Sequence, residues 1–167
     1  KQKSFLLYHR MGAGKTISML MIMHNIPTKV RRVIFAPRSI LLDTYNEKGD
    51  IQIIYNDQNV AKKRTDYFEL YPIDGDPVKH NGKTYPSFVE MLKTGQLISE
   101  CKGAFVGIDE IHNLVPYLKN SRALKTMRQA MSGALRIVGM TGTPIVHHVS
   151  DLTVIMSVLI PEQCRGY

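Results

Sequence analysis

The stretch that decides the fold is FLLYHRMGAGKTISMLMIMHNI, residues Phe5–Ile26. A short apolar run comes first, two glycines, a lysine and a threonine follow it, and a longer apolar run ends before Pro27. The first run predicts a buried strand over Ser4–His9, and the second predicts a helix over Lys15–Ile26. The helix is apolar nearly all round, which is typical of a helix buried against a sheet.

The loop between these two elements has the composition of a phosphate-binding loop. Phosphate oxygens are bound by converging backbone N–H groups, and Gly12 and Gly14 leave that approach free of side chains. Lys15 adds a positive charge for the β and γ phosphates, and Thr16 can place its hydroxyl on a magnesium ion. The strict pattern G-x-x-x-x-G-K-[ST] is not met, because its first position holds His9. On this stretch alone, an incidental glycine turn stays open as the alternative.

Strands and helices alternate along the rest of the chain. Strands are predicted at Val33–Ala36, Ile51–Asn56, Ala104–Ile108 and Leu135–Met140, and helices at Ser39–Glu47, Ser87–Leu97, Ser121–Ser132 and Val149–Leu159. Residues 57–86 form a polar, turn-rich insert, in which Asn81-Gly82 predicts the bend of a hairpin. Because strands that are separated by helices pair in parallel, we expect one α/β domain with a mostly parallel central sheet between two layers of helices.

Two carboxylates end the strand in FVGIDEIHNL. Asp109 and Glu110 fall at the carboxyl end of that strand, where ligands of open α/β sheets bind. We expect Asp109 to hold magnesium through water and Glu110 to polarise the attacking water as a general base. An acidic helix cap is the structural alternative. His112 follows at the spacing D-E-x-H, which is not that of a zinc motif, so no zinc site is expected.

A third stretch, GMTGTPIVHHVSDL, again runs from a strand into small polar residues. Its Thr-Gly-Thr turn could sense phosphate or water and couple the site to a neighbouring domain, or could be a turn with a hydroxyl helix cap. All three stretches lie at the carboxyl ends of predicted buried strands, in an order that can build one site. Together they predict nucleotide binding, with cofactor contacts from Gly12, Ala13, Gly14, Lys15, Thr16 and Ile17.

The net charge of +8 and the sequence pI near 9.5 favour a polyanionic partner, and nucleic acid is the usual one. Three basic clusters could contact phosphates or could be solvated surface: Lys29, Arg31 and Arg32; Lys62, Lys63 and Arg64; and Lys119, Arg122, Lys125 and Arg128. Aromatic residues of the insert could stack bases or pack it onto the domain: Tyr67, Phe68, Tyr71 and Tyr85.

Two cysteines indicate a reducing, intracellular compartment. No apolar run reaches the roughly 20 residues that span a membrane, so no membrane partner is expected.

The segments MGAGKT, FAPRS, DEIH and TGTP, in this order, resemble motifs I, Ia, II and III of superfamily 2 helicases and translocases. The ending Thr-Gly-Thr-Pro-Ile is typical of the Swi/Snf-type branch. The run Leu6-Leu7-Tyr8-His9 before the loop is similar to that of large DNA virus ATPases, namely the poxvirus nucleoside triphosphate phosphohydrolase I and early transcription factor small subunit families. In that group, His9 in place of the first glycine is a family trait. The resemblance implies a RecA-like three-layer sandwich, the first, ATP-binding lobe only.

The resemblance also implies a role for individual residues. Catalysis falls to Glu110 and Lys15, magnesium binding to Thr16 and Asp109, coupling to Thr141, Gly142 and Thr143, and nucleic-acid contact to Ala36, Pro37 and Arg38. Two positions depart from the Swi/Snf pattern: Arg10 stands where that branch usually has an acid, and His147-His148 replace polar amides.

The function that the resemblance implies is that of a nucleic-acid-dependent ATPase, which uses ATP and Mg²⁺ to move on or remodel DNA, in viral transcription. The alternative is a nucleotide-gated assembly or transcription-factor subunit; a small-molecule kinase would leave the Thr-Gly-Thr-Pro turn unexplained. The expected partners are nucleic acid, DNA ahead of RNA, the transcription machinery and a second RecA-like lobe. We expect these residues to be a piece of a longer, two-lobed protein and, without the second lobe's arginine finger, to hydrolyse ATP slowly. For a viral protein the expected location is the virion and the cytoplasmic replication site.

Overall fold

The computed structural model describes residues 3–10, 14–45, 68–143 and 148–161. Its strands, in chain order, are β1 (Ser4–Tyr8), β2 (Arg32–Ala36), β3 (Phe68–Pro72), β4 (Val78–His80), β5 (Lys83–Tyr85), β6 (Phe105–Ile108) and β7 (Arg136–Thr141). Five of them form one parallel sheet in the order β1-β7-β6-β2-β3, and β4 and β5 form a separate antiparallel hairpin.

The helices alternate with the sheet strands along the chain. They are α1 (Lys15–His24), α2 (Arg38–Asp43), α3 (Phe88–Thr94), α4 (Gln96–Cys101), α5 (Val115–Leu118), α6 (Ser121–Gly133) and α7 (Ser150–Leu159). A 3₁₀ turn (Ile111–Leu114) precedes α5. The helix predicted over Ser87–Leu97 is in fact two helices. Gly95 divides them because it takes the left-handed conformation, with φ of 81°, which an α-helix cannot continue through.

The central strands are buried on both faces. In β2, Ile34 and Ala36 pack with Met19 of α1 on one side of the sheet. Val33 and Phe35 point to the other side, where α3, α4, α6 and α7 supply the apolar partners. This alternation produces three layers, helices–sheet–helices, and confirms the α/β fold class that the sequence predicts.

Strand β3, the last in this order among the described strands, differs from the sequence prediction that residues 57–86 form a polar insert. Phe68–Pro72 pairs in parallel with β2, so this part of the segment belongs to the main sheet. The strand is hard to recognise because it contains Glu69 and ends in Pro72, and both residue types are uncommon in strands. The hairpin that follows was predicted correctly: Asn81 and Gly82 form its bend, with φ of 50° and 74°.

Aromatic residues of this segment are core residues. Phe68, Tyr71 and Tyr85 are all buried, and the Tyr71 ring lies between those of Phe35 and Tyr85. These three aromatic residues therefore pack the segment onto the domain and are not exposed for stacking on bases.

Arg32, from the first basic cluster of the sequence, has a structural role inside the fold. The Arg32 side chain is buried and donates hydrogen bonds to the carbonyl oxygens of Met23 at 2.9 Å, Val30 at 3.1 Å and Ile26. These carbonyls belong to the last turn of α1 and the connection after it, where the regular hydrogen bonds of the helix end. Arg31 instead pairs with two carboxylates at the surface of the domain.

The Arg31 guanidinium lies 2.6 Å from Glu69 Oε2 and 2.8 Å from Glu100 Oε2. These bonds join the residue that precedes β2 to β3 and α4, and the hydrogen bonds to Glu69 and Glu100 raise the pKa of Arg31. The sequence suggested that these arginines contact phosphates or are solvated surface charges. In the structure both Arg31 and Arg32 are instead bonded to other groups of the domain.

Some sequence predictions lie outside the described residues: the strand at Ile51–Asn56, the Lys62-Lys63-Arg64 cluster and Tyr67. Within the described residues, no helix combines the length and the apolar character needed to cross a membrane.

We predict that Arg32→Met lowers the free energy of unfolding by about 2–4 kcal/mol, because buried carbonyl oxygens lose their donors. Urea denaturation followed by circular dichroism measures this change. Arg136→Met is the matched control: Arg136 is exposed, and its loss should change stability by no more than about 0.5 kcal/mol. Equal effects of the two substitutions would show that Arg32 has no special structural role.

Candidate nucleotide-binding site

The predicted site residues meet at one edge of the sheet. Strands β1, β7 and β6 are neighbours, and all three run in the same direction, so the loops that follow them emerge side by side. The structure brings together Lys15 after the first loop, Glu110 after β6 and Gly142 after β7. Gly12 and Ala13 lie outside the described residues.

Lys15 is the first residue of α1 and is buried, with only 7% of its surface exposed. Gly14 before it has φ of 75°, a left-handed conformation that turns the loop into the helix. The Lys15 ammonium donates to the carbonyl oxygens of His9 at 3.2 Å and Arg10 at 3.3 Å, and lies 3.8 Å from Glu110 Oε1. A buried cation therefore stands at the N-terminus of a helix, an arrangement that attracts anions.

Asp109 is buried, with 1% of its surface exposed, directly after β6. Its carboxylate oxygen Oδ2 accepts hydrogen bonds from the hydroxyls of Tyr45 at 3.0 Å and Thr16 at 3.4 Å. Burial raises the pKa of Asp109, and the Tyr45 bond opposes this rise. Burial also raises the pKa of Tyr45, so the hydroxyl keeps the proton that it donates. No lysine, arginine or histidine forms an ion pair with Asp109 in the part of the chain that the structure describes.

The donor set of Asp109 and Thr16 fits magnesium and not zinc. Magnesium in nucleotide sites takes one or two carboxylates together with phosphate oxygens and water, whereas zinc takes three or four protein side chains. Across residues 3–10, 14–45, 68–143 and 148–161, no three His, Cys, Asp or Glu side chains cluster to hold a metal by themselves. Asp109, a buried carboxylate beside the Thr16 hydroxyl at the end of the phosphate loop, suits a metal that arrives with a nucleotide.

Glu110 lies in the left-handed region, with φ of 50° and ψ of 54°, which is uncommon for a residue with a side chain. Its Oε2 lies 3.3 Å from His112 Nδ1 and accepts a hydrogen bond from the backbone N–H of Gly142 at 3.4 Å. The His112 bond lowers the pKa of Glu110, with smaller contributions from Gly142 and Lys15, while burial opposes the shift. Glu110 is therefore an ionised carboxylate at neutral pH.

His112 is the residue that sequence reasoning missed. It was considered only as a zinc ligand, but its Nδ1 lies 2.7 Å from Thr141 Oγ1 and 3.5 Å from Thr143 Oγ1, besides its contact with Glu110. Thr141 Oγ1 also accepts the backbone N–H of Thr143 at 3.0 Å. One imidazole thus joins the acidic turn after β6 to the hydroxyl turn after β7. The signal in the sequence was the D-E-x-H spacing.

The three predicted nucleic-acid contacts differ in exposure. The Ala36 side chain is fully buried in the core, and the Ala36 carbonyl oxygen accepts a hydrogen bond from the N–H of Ile73 at 3.0 Å. Pro37 is half-buried, and Arg38, the first residue of α2, is exposed. Ile17 is half-buried on α1, and His147 lies outside the described residues.

We predict that Asp109→Asn stabilises the chain in the absence of nucleotide and metal, because the amide removes the burial of a charge and its oxygen still accepts the Tyr45 bond. A carboxyl whose pKa is raised by folding destabilises the fold above that pKa and has no effect below its unfolded value of about 3.9. The stability difference should therefore be largest near pH 7 and shrink toward pH 4. Thermal melts of both proteins across this range measure it.

Asp76→Asn serves as the matched control, because Asp76 is exposed in the loop after β3. It should leave the melting temperature unchanged at each pH. A lower melting temperature for Asp109→Asn at pH 7 would contradict the prediction.

Comparison with known families and structures confirms the resemblance drawn from the motifs. The family model described as SNF2-related domain matches residues 1–166. The chain is 24% identical to a putative ATP-dependent RNA helicase of Acanthamoeba polyphaga mimivirus, over 95% of this chain and 29% of that protein. It is 29% identical to the termination factor NPH-I homolog of African swine fever virus, over 85% of this chain and 20% of that protein. It is 26% identical to the early transcription factor 70 kDa subunit of Melanoplus sanguinipes entomopoxvirus, over 97% of this chain and 23% of that protein.

Two solved structures share the fold. The Sulfolobus solfataricus SWI2/SNF2 ATPase core in complex with dsDNA superposes with a TM-score of 0.58, at 20% identity, over 96% of this chain and 32% of that one. The Pyrococcus furiosus Hef helicase domain gives a TM-score of 0.55 at 15% identity, over 94% of this chain and 33% of that one. The chain thus spans under a third of the length of these relatives. It belongs to the SNF2-related domain family, and its fold is that of the RecA-like lobe of helicase superfamily 2 ATPases.

Proposed function

We propose that this chain is the ATP-binding lobe of a nucleic-acid-dependent ATPase, which hydrolyses ATP to ADP and phosphate to move on or remodel DNA. The observation that carries the proposal is the convergence on Glu110 of groups from three separate parts of the chain. Lys15 reaches it from the phosphate loop, His112 from the 3₁₀ turn and Gly142 from the end of β7. A carboxylate used only to cap a helix would need none of these contacts.

The proposed mechanism assigns a separate task to each charged group. Lys15 holds the nucleotide's phosphates at the N-terminus of α1. Asp109 and Thr16 would hold magnesium, which, when bound, offsets the negative charge of the phosphate oxygens. Glu110, ionised at neutral pH, orients the attacking water and accepts its proton.

The contacts of His112 suggest how hydrolysis would be coupled to movement. The imidazole touches both Glu110 and the turn of Thr141 and Thr143. A change in the charge near Glu110 during hydrolysis would thus alter the position of the turn after β7. In the proposal, this turn passes the change to a second lobe.

Nucleic acid is the proposed track, with DNA ahead of RNA. The net charge of +8 favours a polyanion, and one structure with the same fold is described as a complex with dsDNA. One viral relative is described as a termination factor homolog and another as an early transcription factor subunit, and these descriptions support a role in viral transcription. The mimivirus relative is described as an RNA helicase, so the experiment below includes RNA.

The similarity to an early transcription factor subunit supports a second candidate function, a nucleotide-gated assembly subunit without processive motor activity. In that case ATP would switch contacts and not drive repeated cycles. The two candidates differ in turnover: a motor hydrolyses ATP faster on its track, whereas a switch binds ATP tightly and releases phosphate slowly.

We predict that Glu110→Gln keeps ATP binding and lowers the rate of hydrolysis by about 100-fold or more, because the general base is lost while the phosphate contacts remain. Single-turnover phosphate release measures hydrolysis, and a fluorescent ATP analogue measures binding. The assays use the longest expressible protein that contains these residues, and they are run without nucleic acid and with single-stranded DNA, duplex DNA or RNA. Lys15→Ala, which removes a phosphate contact, should weaken binding itself.

Each outcome of this experiment has a definite meaning. Stimulation by one nucleic acid that is lost in Glu110→Gln supports the motor and names its track. Tight binding with no stimulated turnover favours the assembly subunit. Hydrolysis by Glu110→Gln at the unsubstituted rate would contradict the role of Glu110.

We predict that Arg38→Ala weakens nucleic-acid binding to a similar degree for all sequences, because an exposed arginine at the carboxyl edge of the sheet contacts phosphates and not bases. The slope of log affinity against log salt should fall by about one unit. Fluorescence anisotropy with labelled DNA at several salt concentrations measures both effects. Arg136→Ala is the matched control, since Arg136 is also exposed but lies at the start of β7, at the opposite edge of the sheet. Equal losses for the two variants would point to unspecific attraction.

A further inference from the structure

Tyr45 is a buried polar residue that no motif of the sequence singles out. It lies two positions beyond the last residue of α2, and its side chain is 0% exposed within the apolar cluster between α1 and the sheet. A phenylalanine would fill the same apolar space. The hydroxyl is explained by its contact, because it donates a hydrogen bond of 3.0 Å to Asp109 Oδ2.

The two hydroxyl contacts of Asp109 differ in length and in proposed role. Thr16 and Tyr45 both donate to Oδ2, at 3.4 Å and 3.0 Å. In the proposed mechanism the Thr16 hydroxyl oxygen would also hold magnesium, whereas the buried Tyr45 hydroxyl would contact Asp109 and not the metal. Among the described side chains, Tyr45 therefore provides the shorter of the two hydrogen bonds that orient the carboxylate.

We propose that Tyr45 is a positioning residue that acts through Asp109: its hydroxyl holds the carboxylate in the orientation that binds magnesium with the nucleotide. This inference rests on the proposed function, because it requires that Asp109 holds the metal. Hydrogen-bond partners of metal ligands typically change metal affinity by 10- to 100-fold when they are removed. Tyr45 would therefore affect the metal while touching neither metal nor nucleotide.

The test compares Tyr45→Phe with Tyr71→Phe. Tyr71 is a matched control, because it is also buried and its hydroxyl also donates to a carboxylate, Glu100 Oε2, at 3.2 Å, but it lies in β3 away from the site. Magnesium is titrated into each protein with a fluorescent ADP analogue, and Mn²⁺ binding to the ADP complex is followed by electron paramagnetic resonance. Binding of the analogue in EDTA and the melting temperature are measured alongside.

We expect Tyr45→Phe to weaken magnesium and Mn²⁺ binding in the ADP complex by about tenfold, with binding in EDTA unchanged. Tyr71→Phe should leave the metal titrations unchanged, although both variants lose some thermal stability. Metal titrations of Tyr45→Phe that match those of the unsubstituted chain, or an equal effect of Tyr71→Phe, would overturn the inference and leave the proposed function intact. An unsubstituted chain that binds the analogue without any dependence on magnesium would overturn both.

Discussion

Burial of the central strands on both faces is the constraint on which the rest of the structure depends. Every residue of β2 and β6 is buried, so polar side chains that serve a ligand must lie where these strands end. The parallel direction of the strands then places these ends along one edge. Asp109 and the turn that begins after Thr141 are neighbours for this reason, although more than 30 residues separate Asp109 from Thr141 in the chain. The position of the site therefore follows from the burial of both faces of the sheet by helices, which leaves the ends of the strands for polar residues.

Two adjacent carboxylates acquire different properties from their surroundings. Burial raises the pKa of Asp109 against the opposing effect of its hydroxyl donors, whereas the contact with His112 lowers the pKa of Glu110. A pair of titratable groups whose pKa values are moved apart is typical of sites that divide acid–base and metal-binding tasks. The left-handed backbone at Glu110 allows this separation, because it turns the second carboxylate toward Lys15 and the end of β7 while the first faces Thr16 and Tyr45.

The positive charge of the chain is only partly available to a partner. The Arg32 guanidinium donates its hydrogen bonds to carbonyl oxygens at the end of α1 and after it, and Arg31 pairs with carboxylates of β3 and α4. Lys119, Arg122 and Lys125 are exposed, as is Arg38 at the end of β2. A net charge counts all of these residues equally, whereas attraction for a polyanion depends on those that remain at the surface.

The sequence by itself determined the strands and helices that have clear apolar patterns, the glycine before Lys15, the acids after β6 and the hairpin bend, because each depends on local patterns of apolar residues and glycine. It did not determine that Phe68–Pro72 joins the sheet, since the strand is short and its stability comes from pairing with β2. No motif marks Tyr45, and the D-E-x-H spacing marks His112 without showing its partners. Those contacts join residues that are distant along the chain or lie across a turn, and only the tertiary structure, which places Tyr45 and the end of β7 beside the end of β6, brings the groups within hydrogen-bonding distance.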